Sequence, residues 1–181
     1  MKPNIIGIVG GILAFISLAL PWWTMSVSSF GISMDVSVYP YMAGVSGIGL
    51  TGIGGLNWYG WLALVLVVIG GLLGLMGGVK PDKVKMLSYG GALALVSIII
   101  FAVGLQLDFL NVPSTEGAPT LALFGGGSLS ASDYGVDVSY FAYLSFGFWI
   151  ALVAAIMMFV ASKKKPIVAG VAPPPPPPSA V

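Results

Sequence analysis

The placement of lysine constrains this chain more than any other feature. All seven cations are lysines, at Lys2, at Lys80, Lys83 and Lys85, and at Lys163, Lys164 and Lys165, with four long apolar stretches laid out between them. A chain crossing a bilayer four times puts every one of them on a single side. That is the arrangement the positive-inside rule favours, because lysine in short flanking loops resists translocation and costs about 2.5–3.5 kcal/mol at a helix centre. The expected fold class is membrane all-α: a four-transmembrane-helix bundle with a small extracytoplasmic β-sheet cap from the two outer loops. The expected location is the cell membrane, multi-pass, with both termini cytoplasmic.

Charged residues make up 7% of the chain and apolar ones 57%, which excludes an ordinary soluble domain. Spans are expected at about 4–23, 58–79, 86–107 and 140–161; at 1.5 Å per residue each matches a hydrocarbon core of roughly 30 Å. Outer loops then cover 24–57 and 108–139, residues 1–162 form the membrane domain, and 163–181 form a cytoplasmic Lys/Pro-rich tail. Five of the six acids, Asp35, Asp108, Glu116, Asp133 and Asp137, fall in the outer loops, and only Asp82 joins the lysines. All five tryptophans, Trp22, Trp23, Trp58, Trp61 and Trp149, sit at outer span ends and are expected as anchors at the headgroup boundary. Lysines 80, 83, 85 and 163–165 set the topology. A rival reading takes residues 1–19 as a cleaved leader ending at Ser17-Leu18-Ala19, but Trp22-Trp23 fits better as the anchor of a retained helix.

Small residues recur at helix-packing spacing. Gly7 and Gly11 make one GxxxG step, Gly70, Gly74 and Gly78 make two more, and Gly147, Ala151 and Ala155 repeat the spacing. Such faces let helix backbones approach closely where lipid removes the hydrophobic drive. They serve either packing within the bundle or a seam between copies. Three patterns also occur twice in the same order: Gly10–Ser17 and Gly90–Ser97 share GGxLAxxS, Asp35-Val36-Ser37 returns as Asp137-Val138-Ser139, and Trp61–Val65 echoes Trp149–Val153. Either the chain is an internal repeat of two helix pairs in the same orientation, or apolar helices built from Gly, Ala, Leu and Ser match by chance.

The outer loops carry strand signals. Thr24–Ser28 and Ile32–Tyr39 alternate apolar and polar residues with a period of two around Ser29-Phe30-Gly31, the pattern of a β-hairpin. Thr120–Phe124 and Val136–Tyr140 are candidate strands, with Gly125-Gly126-Gly127 expected as the turn between them. Residues 44–56 are uncharged, apolar and glycine-dense, so their backbone must pack on protein, lie at the interface or line a cavity. The expectation is interfacial or cap-packed coil, the alternative a re-entrant, pore-like loop. The prolines Pro173–Pro178 enforce an extended polyproline tail.

Chemistry-bearing motifs are missing. The chain has no Cys, His or Arg, so the usual zinc, haem and iron–sulfur ligands are absent, and no nucleophile elbow, phosphate loop or dinucleotide fingerprint occurs. No catalytic, cofactor-binding or metal residue is assigned, no cofactor is expected, and an enzyme is disfavoured. Asp35, Asp133 and Asp137 are a minor calcium possibility should the outer loops bring them together. Expected partners are the lipid bilayer and a second copy or another membrane or envelope protein, not nucleic acid.

Four helices, a short inner loop, a cytoplasmic tail and a β-prone first outer loop after tryptophan resemble the claudin and PMP22-like superfamily in topology. Trp22-Trp23 and Trp58 offer tryptophans where claudins carry W-x-n-GLW-C-C, but the GLW and the cysteine pair are missing, so no claudin residue role carries over. The ending Leu20-Pro21-Trp22-Trp23 is also similar to archaeal and bacterial four-span proteins of uncharacterised function. The functional expectation is a non-enzymatic multi-pass protein with a structural, adhesive or complex-assembly role through its outer β-rich loops. The alternative is a small channel or transporter subunit using residues 44–56.

Overall fold

A computed structural model of the chain describes residues 3–47, 50–54, 58–110, 123–131 and 136–163. The helices are α1 (Ile5–Leu18), α2 (Trp58–Val79), α3 (Lys85–Leu110) and α4 (Phe146–Lys163), and the strands are β1 (Trp23–Ser29), β2 (Ile32–Tyr39), β3 (Met42–Gly47), β4 (Leu50–Gly54), β5 (Gly125–Ala131) and β6 (Val136–Leu144). Helices α2, α3 and α4 are long and apolar enough to cross a membrane. Helix α1 has 14 residues, about 21 Å at 1.5 Å per residue, short of a full hydrocarbon crossing.

The first span ends earlier than position 23, and the cause is local. Pro21 has no N–H to give and disfavours helical backbone at the residue before it, so α1 closes with the Ala19 N–H reaching the Ile16 carbonyl at 3.1 Å. The fourth span likewise begins at Phe146 rather than 140, because the alternating run Val136–Leu144 is taken by β6. Its start is stitched to the end of the first: the Ser145 N–H donates to the Trp22 carbonyl and the Gly147 N–H to the Pro21 carbonyl, both at 2.9 Å. At the opposite end Asn4 binds three helices together. Its side-chain oxygen accepts from the Gly7 N–H, its backbone N–H donates to the Gly78 carbonyl at 2.8 Å, and its amide donates to the Ala161 carbonyl at 2.9 Å.

The helices form a ring in which α1 contacts α2 and α4, and α3 contacts the same two, all neighbours antiparallel. Glycine and alanine face inward and branched or long apolar side chains face out. Ile12 and Ile16, Leu62, Val65, Ile69 and Leu72, Val96, Ile99 and Val103, and Val153, Ile156 and Val160 are all exposed. A water-soluble bundle has the reverse pattern; this one suits lipid, with small residues at the seams. The seams are tight: a methyl placed on Gly70 would lie 2.8 Å from the Gly90 carbonyl oxygen, and one on Gly78 would lie 2.7 Å from the Ile8 nitrogen.

The axis of the ring is filled. At one end Trp22 meets Phe101 at 5.1 Å and Phe148 at 6.3 Å between ring centroids, both edge to face, and Tyr59 joins Phe101 at 6.1 Å. Further along, Met158 is fully buried, its thioether lying against Gly10 of α1, Gly74 of α2 and Gly90 of α3. A flexible, polarizable side chain fits such an irregular gap. Contacts also recur around the ring. Gly10 packs on Met158 as Gly90 packs on Gly70, and Gly11 packs on Gly71 as Gly91 packs on Phe159.

The strands form one antiparallel sheet of order β4-β3-β2-β1-β6-β5. The pairing of β1 with β6 joins the two segments that leave the bundle at the same end. The turn between β1 and β2 has two residues, Phe30 (φ 52°) and Gly31 (φ 75°), the left-handed pair that matches hairpin twist. Two expectations are corrected here. Leu50–Gly54 is an edge strand of the sheet paired with β3, part of the cap but strand rather than coil, and drawn into the sheet rather than into a re-entrant loop by the backbone pairing on its β3 side. Gly125, Gly126 and Gly127 open β5 rather than making a turn, and Leu123-Phe124 is a bend. Rings of the partner strand take the missing side-chain space: Phe141 lies against Gly126 and Tyr140 against Gly127. The first part of the strand expected at Thr120–Phe124, residues 120–122, falls outside the described residues.

Candidate interaction surface

Strand alternation and register sort the sheet into two unlike faces. On one, Trp23, Met25, Val36, Val38, Ala142 and Leu144 pack with Tyr59, Phe101 and Phe148 from the ends of the helices. The other face carries Thr24, Ser26 and Ser28 on β1, Ser33, Asp35 and Ser37 on β2, and Ser139, Phe141 and Tyr143 on β6. Ser33, Asp35, Ser139 and Phe141 are exposed. Among the described residues, this hydroxyl-rich face and the lysine-bearing end of the bundle are the polar surfaces at the two ends of the apolar helices.

Cross-strand hydrogen bonds order the face. The Ser26 hydroxyl donates to Asp35 Oδ1 at 2.6 Å across the β1–β2 pair, leaving the serine oxygen free to accept. The Ser139 hydroxyl donates to the Ser28 carbonyl at 3.4 Å. Beside them the Phe141 and Tyr143 rings lie 5.8 Å apart, tilted by 34°, and Phe141 remains 58% exposed. Tyr39 and Tyr41 form a similar pair at 5.6 Å.

The tryptophans divide. Trp58, Trp61 and Trp149 are exposed at helix ends on the sheet side, and the Trp149 indole donates to the Leu144 carbonyl at 3.2 Å. Trp22 and Trp23 are not boundary anchors but core, at 0% and 2% exposure. The early end of α1 turns both inward, and the Trp22 indole donates to the Ser17 carbonyl. Of the packing residues, Gly7, Gly11, Gly70, Gly74, Gly78, Gly147 and Ala151 are all buried at seams within the chain, with Gly147 seated under Leu20 and Trp22. Sequence reasoning passed over Met158, whose only signal was its place on the inward stripe of α4, and Gly104, which seats the Tyr59 ring.

Lys80, Lys83 and Lys85 flank the turn between α2 and α3, and Lys163 closes α4 at the same end. Lys164, Lys165 and the proline tail lie outside the described residues, as does Asp133. Asp35 is opposite Ser26, whose partner on β6 is Phe141, four residues from Asp137. The two acidic positions are thus roughly 16 Å apart at the spacings of a sheet, too far to share a cation. Among the described residues no group of three metal-ligating side chains occurs. No protein-family model matches the chain, and comparison with curated proteins finds no significant relative.

Proposed function

We propose that the chain is a four-span protein of the cell membrane, with both termini on the cytoplasmic, lysine-bearing side and the sheet outside, where it makes structural or adhesive contacts with another envelope protein or a second copy. Three spans follow from length and composition. The fourth rests on how α1 is placed. Asn4 bonds to Ala161 near the end of α4, and Pro21 bonds to Gly147 near its start, so the segment from Asn4 to Trp22 runs the depth of α4, the turn at Ala19–Trp22 completing the short helix.

One observation carries the reading: the first and last helices continue directly into the paired strands β1 and β6. The bundle thereby holds a rigid sheet beyond the membrane, the geometry of a presented surface. The plugging of the axis by Trp22, Phe101 and Met158 weighs against the channel alternative, as does the pairing of β4 within the sheet. The missing nucleophiles and bases weigh against an enzyme. The four-helix ring with a sheet drawn from both outer segments supports the claudin-like likeness of layout, without implying a claudin role. The recurrence of Gly10 on Met158 as Gly90 on Gly70 supports an internal duplication, because Met158 and Gly70 each stand nine residues after an echoed tryptophan, Trp149 and Trp61.

Single cysteines in this cysteine-free chain test the arrangement. Ser28→Cys should react with an impermeant maleimide on sealed cells and Asp82→Cys only after lysis; the opposite result overturns it. Photo-crosslinking from Ser33 in native membranes should then capture a discrete envelope partner or a dimer.

A further inference from the structure

The outward sheet face has the chemistry of a sugar-binding surface, and we propose that it binds a neutral glycan chain of the envelope. The inference rests on the outward placement of the sheet and goes beyond that reading by adding a glycan to what the surface contacts.

Three observations carry it. Phe141 lies against the backbone of Gly126, where a methyl would meet its ring at 2.9 Å, and leaves 58% of its surface open. With Tyr143 at 5.8 Å and 34° it makes an aromatic platform next to a polar row, the pairing that the C–H face and hydroxyl rim of a pyranose require. Aromatic rings supply contact area at little entropic cost, and ordered hydroxyl and carboxylate groups fix orientation. In the same row, Ser26 donates to Asp35 at 2.6 Å, so its oxygen is set to accept from a ligand hydroxyl, held in that orientation by the carboxylate.

Charge narrows the partner. Among the described residues no lysine lies on the sheet, so none of them draws phosphate, sulfate or uronate to this face, and Asp35 repels such groups. The platform is on the sheet face turned away from the helix ends, so its partner meets the sheet on the side opposite the bundle.

The full chain in nanodiscs, titrated separately with maltohexaose, mannohexaose and chitohexaose and read by saturation-transfer NMR, tests the proposal. At least one neutral oligosaccharide should bind saturably, with Phe141→Leu and Asp35→Asn each weakening it about tenfold, the scale of one aromatic or charge-assisted contact. A sulfated oligosaccharide should not bind. The two variants alter opposite sides of the platform, so a folding defect in one leaves the other informative. Absence of saturable binding by all three up to ~10 mM, an affinity weaker than about −3 kcal/mol, overturns the proposal, as does binding that neither variant changes. So does a shift from dimer to monomer in Phe141→Leu with no sugar effect, which would assign the face to a second copy. If Ser28→Cys is labelled from outside while no sugar binds, only the glycan assignment falls; if it is not labelled, the placement of the sheet falls with it.

Discussion

The indole of Trp22 donates a 2.9 Å hydrogen bond to the carbonyl of Ser17. Helix α1 ends just beyond, where the Ser17 carbonyl has only a long 3.4 Å bond from the Leu20 N–H, and the indole supplies the shorter one in an apolar surround. The same ring fills the sheet end of the bundle against Phe101 and Phe148.

Trp22→Phe should keep most of the packing and lose the bond, lowering unfolding free energy by about 1 kcal/mol. Trp22→Ala should cost about 3–5 kcal/mol, because a cavity opens where α1, α3 and α4 converge. Chemical denaturation in a fixed detergent micelle, followed by circular dichroism, separates the two; equal losses would deny the bond its role.

Met158 fills the space left by three glycines, so its replacement reports on the axis itself. Met158→Ala should destabilise the bundle by about 2–5 kcal/mol, and Met158→Leu, close in volume, by less than about 1.5 kcal/mol. Solute flux in liposomes should stay at background for the native chain. Flux that rises in Met158→Ala while the fold holds would bring back the channel reading.

The glycine seams differ in what lies opposite. Gly70→Ala sets a methyl against the Gly90 carbonyl oxygen, a backbone atom that cannot turn aside, whereas the nearest atom to a methyl on Gly74 is the thioether of Met158. Gly70→Ala is therefore expected to cost about 1–3 kcal/mol and Gly74→Ala distinctly less, measured by the same denaturation. Because these seams lie within the chain, the loss should not vary with protein concentration.

Phe30 occupies a left-handed conformation at φ 52° with its side chain exposed, and that backbone costs a residue with a Cβ about 1–2 kcal/mol. Phe30→Asn, a residue that accepts this conformation, should stabilise the sheet by about 1 kcal/mol, seen as slower amide exchange in β1 and β2. Faster exchange would mean that the ring has contacts of its own.

The β1–β2 hairpin was legible in the chain because a period of two around Phe30-Gly31 is a local signal, and the strands run within a residue of the alternating runs. Helix α2 was legible for the same reason, as Trp58–Val79 is one unbroken apolar run. The glycines of β5 were misread as a turn, because the rings that fill their space belong to β6, and only the pairing of Gly126 with Phe141 and of Gly127 with Tyr140 brings them together. Trp22 and Trp23 were misread because tryptophan beside an apolar run has two stable places, headgroup boundary and protein core. Only the turn at Pro21 selects between them.

By itself the sequence determined the membrane character of the chain, its long apolar helices, its lysine asymmetry and its alternating strands, since each follows from side chains adjacent along the backbone. Tertiary structure alone decided that β1 pairs with β6, that Met158 meets three glycines, and that Phe141 stands beside Ser26 and Asp35 on one exposed face. Those contacts join residues more than a hundred positions apart or on separate helices, and only the closing of the ring and sheet brings them within van der Waals or hydrogen-bonding reach.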